Sequence, residues 1–458
     1  MDLEEEKLIQ LYEKERSAGL FDIKVGGIKI YNYLFREVRI AYLNGHGFTY
    51  KGQIGSTSKM KKIVYILISF FQIVHTIFFR RVENIIYAFR IERTKGVYMD
   101  KFTDPLIDNS NLREGGYVIL EHAIDGEHFK PRLHARDVVY MDFFDFIIVI
   151  GRHIIKKKLK SQYSLDLDKL WSGIDEVMDG ISYDKDYLSI LIYRFFIEYR
   201  LYAFLFRKIK AKRLIAASKI NFRTQIYAAK YCGVKVCELQ HGMHWGWVSR
   251  YLVPTNTMFS PDYFMMYGGL CPMDKTGVPI ANVKNMGFAY LDYLKELNDS
   301  REIEEDSVLF LSDSFITSQV FDLVILLADK YKSIKFVIRP HPMEKIEEKL
   351  LVLVKKYANI VVQPPKESLL VVLNNFNMVI GGNSVSLYEA ASMEKKVGRL
   401  CYKGVIPLYI NESDKECFWL IDGPGSFDDF LQGSVEDKQI MRFYTKYDRA
   451  IFDSFLSE

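Results

Sequence analysis

The feature that most constrains this chain is a regular alternation of near-continuous apolar runs with amphipathic stretches. Between 307 and 400 it reads "SVLFLSD" (307–313), "SQVFDLVILLADKY" (318–331), "KFVIRP" (335–340), "KIEEKLLVLVKKY" (345–357), "NIVVQ" (359–363), "SLLVVLNN" (368–375), "MVIGG" (378–382), "VSLYEAASME" (385–394) and "VGRL" (397–400). Short runs that stay apolar, without a polar residue at every second place, fit strands buried on both faces. The helix-period segments between them supply the cover. Parallel neighbours need such crossovers, so the pattern predicts a parallel sheet between two helical layers.

The first half repeats the rhythm less regularly. "NIIYAF" (84–89), "YVILEH" (117–122), "RLIAAS" (213–218) and "VKVCEL" (234–239) read as strands, and "FRTQIYAAKYCG" (222–233) as a helix closed by glycine. Long helices are expected at about 141–160 and 186–210, and two further strand-and-glycine stops at 261–268 and 282–287. A chain of 458 residues exceeds the size of one core. The charge-rich stretch at 291–306 interrupts the pattern and marks the joint. The expected fold class is therefore α/β, with two Rossmann-like domains facing a cleft. The first spans 1–290 and carries a helical N-terminal extension, the second spans 305–440, and a C-terminal helix at 441–458 is placed to cross back to the first.

In such an arrangement, loops at the carboxyl ends of the strands line the cleft. Two of them are chemically unusual. In "GGNSVSLYEA", Gly382 and its predecessor permit a tight turn, Asn383 or Ser384 caps the following helix, and the helix end with the hydroxyls of Ser384 and Ser386 forms an anion site. Glu389, one turn further in, is placed to hold ribose hydroxyls. In "IRPHP", Pro340 and Pro342 stiffen the backbone around His341, presetting its imidazole and the guanidinium of Arg339 toward a leaving phosphate. A helix cap and an exposed proline-rich turn account for either loop alone. Together, at strand ends of one sheet, they point to one phosphate-bearing donor.

Residues 307–400 resemble the donor domain of GT-B glycosyltransferases, in particular the bacterial sialyltransferase and capsule polysaccharide transferase group. The match rests on His341-Pro342 and on the serine motif of Ser384 and Ser386. The resemblance implies that these residues hold the phosphate of a CMP-activated sugar. Transferases using CDP-glycerol share a similar "RPHP" and serine layout, so a polyol-phosphate donor is the alternative. "FTDPLID" and "ELQHGMHWGW" in the first half are similar to proteins of bacterial surface-polysaccharide loci. One departure stands out: the acidic Asp/Glu-Asp-Gly motif that supplies the base in that group is absent from this sequence.

The base is therefore sought in "CELQHGMHWGWVSRY" (237–251). His241, with an ordinary pKa near ~6.5, is one candidate and Glu238 the other. His244, Trp245 and Trp247 offer polar groups and flat indole faces to an acceptor sugar, and the tryptophans serve equally well in a core. The "DFFD" pair at 142–145 lies in an apolar helix and reads as structural. No cofactor and no metal are expected, since Arg339, His341 and a helix end already supply positive charge. Metal-independent, inverting transfer follows.

The partners expected are a nucleotide-sugar donor and a glycan or lipid-linked glycan acceptor. A net charge of +4 gives no support to nucleic-acid binding. The N-terminal stretch "MDLEEEKLIQLYEKERS" lacks a signal-peptide layout, and the five cysteines form no C-x-x-C pair, so a cytoplasmic chain with reduced thiols is expected. "IVYILISFFQIVHTIFF" (63–79) is short for a span and contains Ser69, Gln72, His75 and Thr76, so a buried or interface-lying helix is expected. The basic run at 152–160 reads as a solvated helix face or as a contact with anionic lipid at the inner face of the membrane. A non-catalytic nucleotide-sugar or glycan-binding protein is the reading from another class.

Overall fold

The computed structural model describes residues 3–47, 59–242, 252–269, 276–296, 306–342, 344–407, 415–438 and 443–458. In chain order the strands are β1 (Asn84–Tyr87), β2 (Ile91–Thr94), β3 (Val97–Asp100), β4 (Tyr117–Glu121), β5 (Val138–Tyr140), β6 (Arg213–Ala217), β7 (Lys235–Leu239), β8 (Tyr263–Met266) and β9 (Val283–Asn285) in the first half. The second half holds β10 (Ser307–Leu311), β11 (Lys335–Arg339), β12 (Ile360–Val362), β13 (Met378–Gly381), β14 (Lys396–Leu400) and β15 (Trp419–Ile421).

Two parallel sheets result. The first runs β5-β4-β1-β6-β7-β8-β9 and the second β12-β11-β10-β13-β14-β15. Counted along their own strands, the orders are 3-2-1-4-5-6-7 and 3-2-1-4-5-6. The second is the Rossmann order, and the first is that order with one strand added. The chain is thus an α/β protein of two Rossmann-like halves. β2 and β3 form a separate antiparallel hairpin inserted after β1. That hairpin, the three-residue β5 and β15 were not apparent in the sequence. The expected joint at 291–306 falls largely outside the described residues, beyond the helix Ala289–Glu296.

The apolar runs fold as their composition dictates. Every residue of β1, β4, β6, β10 and β14 is buried. Alternate residues of β10 serve different layers: Val308 and Phe310 join Val320, Phe321 and Phe427, while Leu309 and Leu311 join Leu370 and Leu373. The latter layer is continuous with first-half residues such as Ile119, Ile215 and Tyr267.

The segment 443–458 knits this shared layer. Tyr444 stacks on Phe288 with ring centroids 4.3 Å apart. A Cβ on Gly287 would meet the Lys446 carbonyl oxygen at 2.0 Å, and its φ of +72° suits glycine alone, so the close crossing of the two backbones fixes this residue. The last helix, Arg449–Ser457, is capped by Asp448. It lies against the first half: Asp453 accepts from the Asn111 N–H at 2.9 Å, and Glu458 pairs with Lys235 at 3.2 Å.

Candidate functional site

In the second sheet the central neighbours are β10 and β13. From β10 the chain moves to β11 on one side, and from β13 to β14 on the other. A crevice opens at the carboxyl ends where the connections diverge, which is where ligands of such sheets bind. Gly382, which follows β13, packs so closely on the loop after β10 that a Cβ there would come within 2.6 Å of the Ile316 side chain. The Asn383 amide donates to the Ile406 carbonyl at 2.9 Å. Ser384, with extended backbone, caps the eight-residue helix Val385–Ser392, its hydroxyl accepting from the Ser386 N–H at 3.2 Å. The positive end of this helix therefore opens at the crevice.

The "RPHP" loop closes β11, the other neighbour of β10. Its histidine is anchored through Glu344, which accepts from the His341 N–H at 2.9 Å, from Ser312 at 2.7 Å and from Thr317 at 2.6 Å. The loop is thus tied to the end of β10 as well as stiffened by prolines. His341 and Pro342 are exposed. With strands ~4.8 Å apart, β11 and β13 lie about 10 Å apart across β10, so His341 and Ser384 flank a single strand end. Desolvation and the cation of Arg90 hold the His341 imidazole below the ordinary histidine value, against Asp313 and Glu344.

Arg339 is turned toward the β2–β3 hairpin of the first half. It is buried, donates to the Glu367 carbonyl at 2.5 Å and faces the carboxylates of Glu92 and Glu367. Burial lowers its pKa and those two acids oppose the shift. Glu389 is likewise engaged where the halves meet. It accepts from the Tyr444 hydroxyl at 2.5 Å, and the Lys101 ammonium lies 4.0 Å away.

The first sheet has its own divergence between β1 and β6. Its strand-end loops bring Phe89 and Arg90 after β1, Lys219 after β6 and His241 after β7. The backbone N–H groups of Phe89 and Arg90 both donate to the buried Asp100 carboxylate, at 2.6 and 3.0 Å, which fixes where the Arg90 side chain begins. Burial, then the neighbouring Asp104, pushes Asp100 up to about 6. Arg90 pairs with Glu92 at 2.7 Å.

Arg90 acts on both histidines. The His241 ring stands edge-on to Phe89, with centroids 5.3 Å apart. Burial, then Arg90, brings its pKa down to about 4. One histidine from each half therefore lies within the field of one guanidinium. Further contacts join the same ends: the Ser368 N–H donates to the Arg93 carbonyl at 2.7 Å, and Glu367 pairs with Arg93 at 3.4 Å. The carboxyl ends of the two sheets face one another, with the β2–β3 hairpin between them.

Glu238, on β7, is buried. One of its oxygens accepts from the Lys219 N–H at 2.7 Å, and the other has no hydrogen-bond partner among the described residues. Burial raises its pKa to about 7 against the opposing charge of Lys219. Gln240 joins β7 to β8 by accepting from the Tyr267 N–H at 2.8 Å. His244, Trp245 and Trp247 lie outside the described residues.

A second polar network at the first sheet's carboxyl end escaped the sequence reading. The "DFFD" carboxylates each hold a histidine: Asp145 meets His122 at 2.8 Å, and Asp142 meets His128 at 2.9 Å. His128 also meets Glu121 at 2.9 Å, and Glu121 in turn accepts from Arg132 at 3.0 Å. His122 contacts the Tyr87 hydroxyl and that of Tyr202. Burial disfavours its charged form, yet the Asp145 carboxylate prevails and its pKa rises. The only sequence signal was a pair of acids at the start of an apolar helix.

No protein-family model matches the chain, and no curated protein sequence matches it. Several solved structures are similar. The UDP-GlcNAc 2-epimerase of Neisseria meningitidis, bound to UDP-GlcNAc, is 12% identical over 82% of this chain and 100% of its own, with a TM-score of 0.47. The UDP-GlcNAc 2-epimerase of Methanocaldococcus jannaschii is 9% identical over 82% of this chain and 98% of its own, with a TM-score of 0.48. The wall teichoic acid polymerase TagF, soaked with CDPG, is 10% identical over 88% of this chain and 93% of its own, with a TM-score of 0.42. At these identities and TM-scores the likenesses carry no argument about the activity of this chain.

Proposed function

We propose that this chain is a GT-B-type glycosyltransferase that moves a sugar from a nucleotide-activated donor onto a hydroxyl of a bacterial surface glycan. The observation that carries this reading is the pair of loops at the end of β10, with His341 after β11 on one side and the Ser384-capped helix after β13 on the other. Arg90, at the divergence point of the first sheet, adds to burial in lowering the basicity of His241 and His341. A ligand with a phosphate at the Ser384 helix end and its reacting carbon toward Arg90 would meet both halves at once. The helix end and the two serines bind the phosphate. His341 approaches the leaving oxygen, and the phosphate raises the imidazole pKa so that it can donate a proton. The charge on the departing nucleotide is offset by Arg90 and the helix end, without a metal.

The acceptor proton goes to Glu238 or His241. Glu238, at about 7, is matched to neutral pH, whereas His241, at about 4, is a weak base until an anion enters beside Arg90. The donor is read as CMP-linked, a sialic acid or another 2-keto sugar, following the resemblance of the His341 and Ser384 loops.

One observation favours a second reading, transfer of a polyol phosphate from a CDP-linked donor. Arg90 lies close enough to His241 and His341 to lower the pKa of each, so positive charge can gather at these strand ends, as a transferred phosphoryl group requires.

The test is donor turnover by the purified protein. Release of CMP with free or transferred sugar supports the first reading, and release of CMP with glycerol phosphate or its polymer supports the second. Binding without turnover of either donor, with a glycan acceptor present, would leave a binding protein.

A further inference from the structure

The helix Lys59–Phe79 is built inside out. Ser69, Gln72 and Thr76 face the protein. The Ser69 hydroxyl donates to the Tyr140 carbonyl and accepts from the Phe143 N–H, at 3.1 Å for the latter. Gln72 donates to the Val138 carbonyl at 3.2 Å and accepts from the Tyr140 N–H at 2.9 Å. These contacts cap the outer edge of β5, which would otherwise present unpaired backbone groups. With Ser69, Ile73 and Thr76 buried, the apolar residues are turned outward: Met60 is 76% exposed, Ile63 60%, Leu67 54%, Phe71 66% and Phe78 73%.

The stripe does not stop at this helix. Phe70 packs on Phe143 with ring centroids 5.0 Å apart, at the start of the helix Asp142–Gln162. That helix continues the patch with Phe146, Val149, Ile150 and Ile154, all exposed at helical spacing. Contiguous apolar surface of this kind marks an interaction face. Its rim is basic. No Asp or Glu occurs from Lys59 to Arg81 or from Phe146 to Leu165. Exposed Lys62 borders one helix, and exposed Lys156, Lys158 and Lys160 border the other.

We propose that this two-helix face docks on an anionic lipid bilayer, its apolar side chains entering the boundary between headgroups and acyl chains and its lysines meeting lipid phosphates. The helix lies on the membrane and does not cross it. A span would need lipid on every side, while Ser69 and Gln72 are committed to β5. A second copy of the chain is a poorer occupant, because a two-fold contact would set the lysines of one rim against those of the other. Near its amino end the helix is tied by Lys61 and Tyr65, at 2.6 and 3.1 Å, to Glu127 on the loop after β4. The docking face therefore borders the cleft end of the first sheet.

The full chain is tested by co-sedimentation with vesicles of phosphatidylcholine alone and with about 30% phosphatidylglycerol. Expected is capture by the anionic vesicles, at least ~10-fold weaker capture by the neutral ones, and release as salt shortens the Debye length from ~10 to ~3 Å. L67E combined with F71E should abolish capture, with melting temperature and nucleotide affinity unchanged. Failure of the wild type to bind either vesicle overturns the proposal. So does capture of the double variant equal to wild type. A stable wild-type dimer in sedimentation velocity, split to monomers by the same substitutions, would assign the face to self-association and overturn it equally.

Discussion

The guanidinium of Arg90 and the imidazole of His341 belong to different sheets, and the cation of the first lowers the basicity of the second. Arg90→Ala should therefore raise the pKa of His341, and that of His241 with it, because one positive charge leaves the field of both. Arg90→Lys should retain most of the depression. Two-dimensional NMR titration of the imidazole resonances reads the shift. Unchanged histidine titrations in the alanine variant would remove the link between the halves. Turnover should fall by about 10²-fold in the same variant, as expected for a lost group that stabilises developing charge.

Much of this arrangement was legible in the sequence, for identifiable reasons. Strands buried on both faces announce themselves by composition, which is why β1, β4, β6, β7, β10, β11 and β13 coincide with apolar runs. The loops after β11 and β13 were visible because proline and glycine restrict or free the backbone locally. Arg90 was not visible. In "AFRIERTK" it is an ordinary arginine. Its importance comes from Asp100, ten residues away, holding its backbone at the point where two crossovers diverge. The partners of Asp142 and Asp145 lie 14 and 23 residues distant, so the pair looked structural. The direction of the 59–79 helix was equally hidden, since polar residues on a helix ordinarily face water, whereas Ser69 and Gln72 face a sheet edge.

The serine loop offers a test that separates capping from anion binding. Ser384 does both in the proposed reading. Ser384→Ala should cost roughly 1 kcal/mol of stability through the lost cap. Ser384→Asp should restore stability, since aspartate caps well and suits the helix end. If a phosphate binds there, however, the new carboxylate repels it, so calorimetry should show CMP or CDP binding more weakly to Ser384→Asp than to Ser384→Ala. The joint change of Ser384 and Ser386 to alanine should weaken nucleotide binding by about tenfold or more. Equal affinities throughout would place the phosphate elsewhere.

Glu238 makes a prediction with a definite sign. Its folded pKa, about 7, lies above the ordinary value of 4.5, so the folded protein holds a proton that the unfolded chain has released. Stability from this group is fully present below about 4.5 and is lost as pH rises to about 7. Glu238→Gln should flatten that fall, by at most about 3 kcal/mol between the two limits. Urea unfolding at pH 5 and pH 8 checks this, and parallel curves for the two proteins would mean that the carboxyl does not titrate as described. The same variant bears on mechanism. Loss of transfer with nucleotide affinity intact assigns the base to Glu238; loss on His241→Ala, with Glu238→Gln active, assigns it to His241.

Glu389 was expected at a ribose, and the structure engages its carboxylate with Tyr444 and Lys101. The two roles differ in what a substitution disturbs. Tyr444→Phe removes one hydrogen bond to a buried charge and should destabilise the protein by roughly 1.5–3 kcal/mol. Glu389→Gln leaves Lys101 with one fewer counter-charge and should act in the same direction. Because Tyr444 belongs to the segment that packs on Phe288 and Tyr267 of the first half, the loss should appear as earlier cooperative unfolding in urea. Nucleotide affinity should change little in either variant. Weaker nucleotide binding by Glu389→Gln with unaltered stability would instead return this carboxylate to the donor.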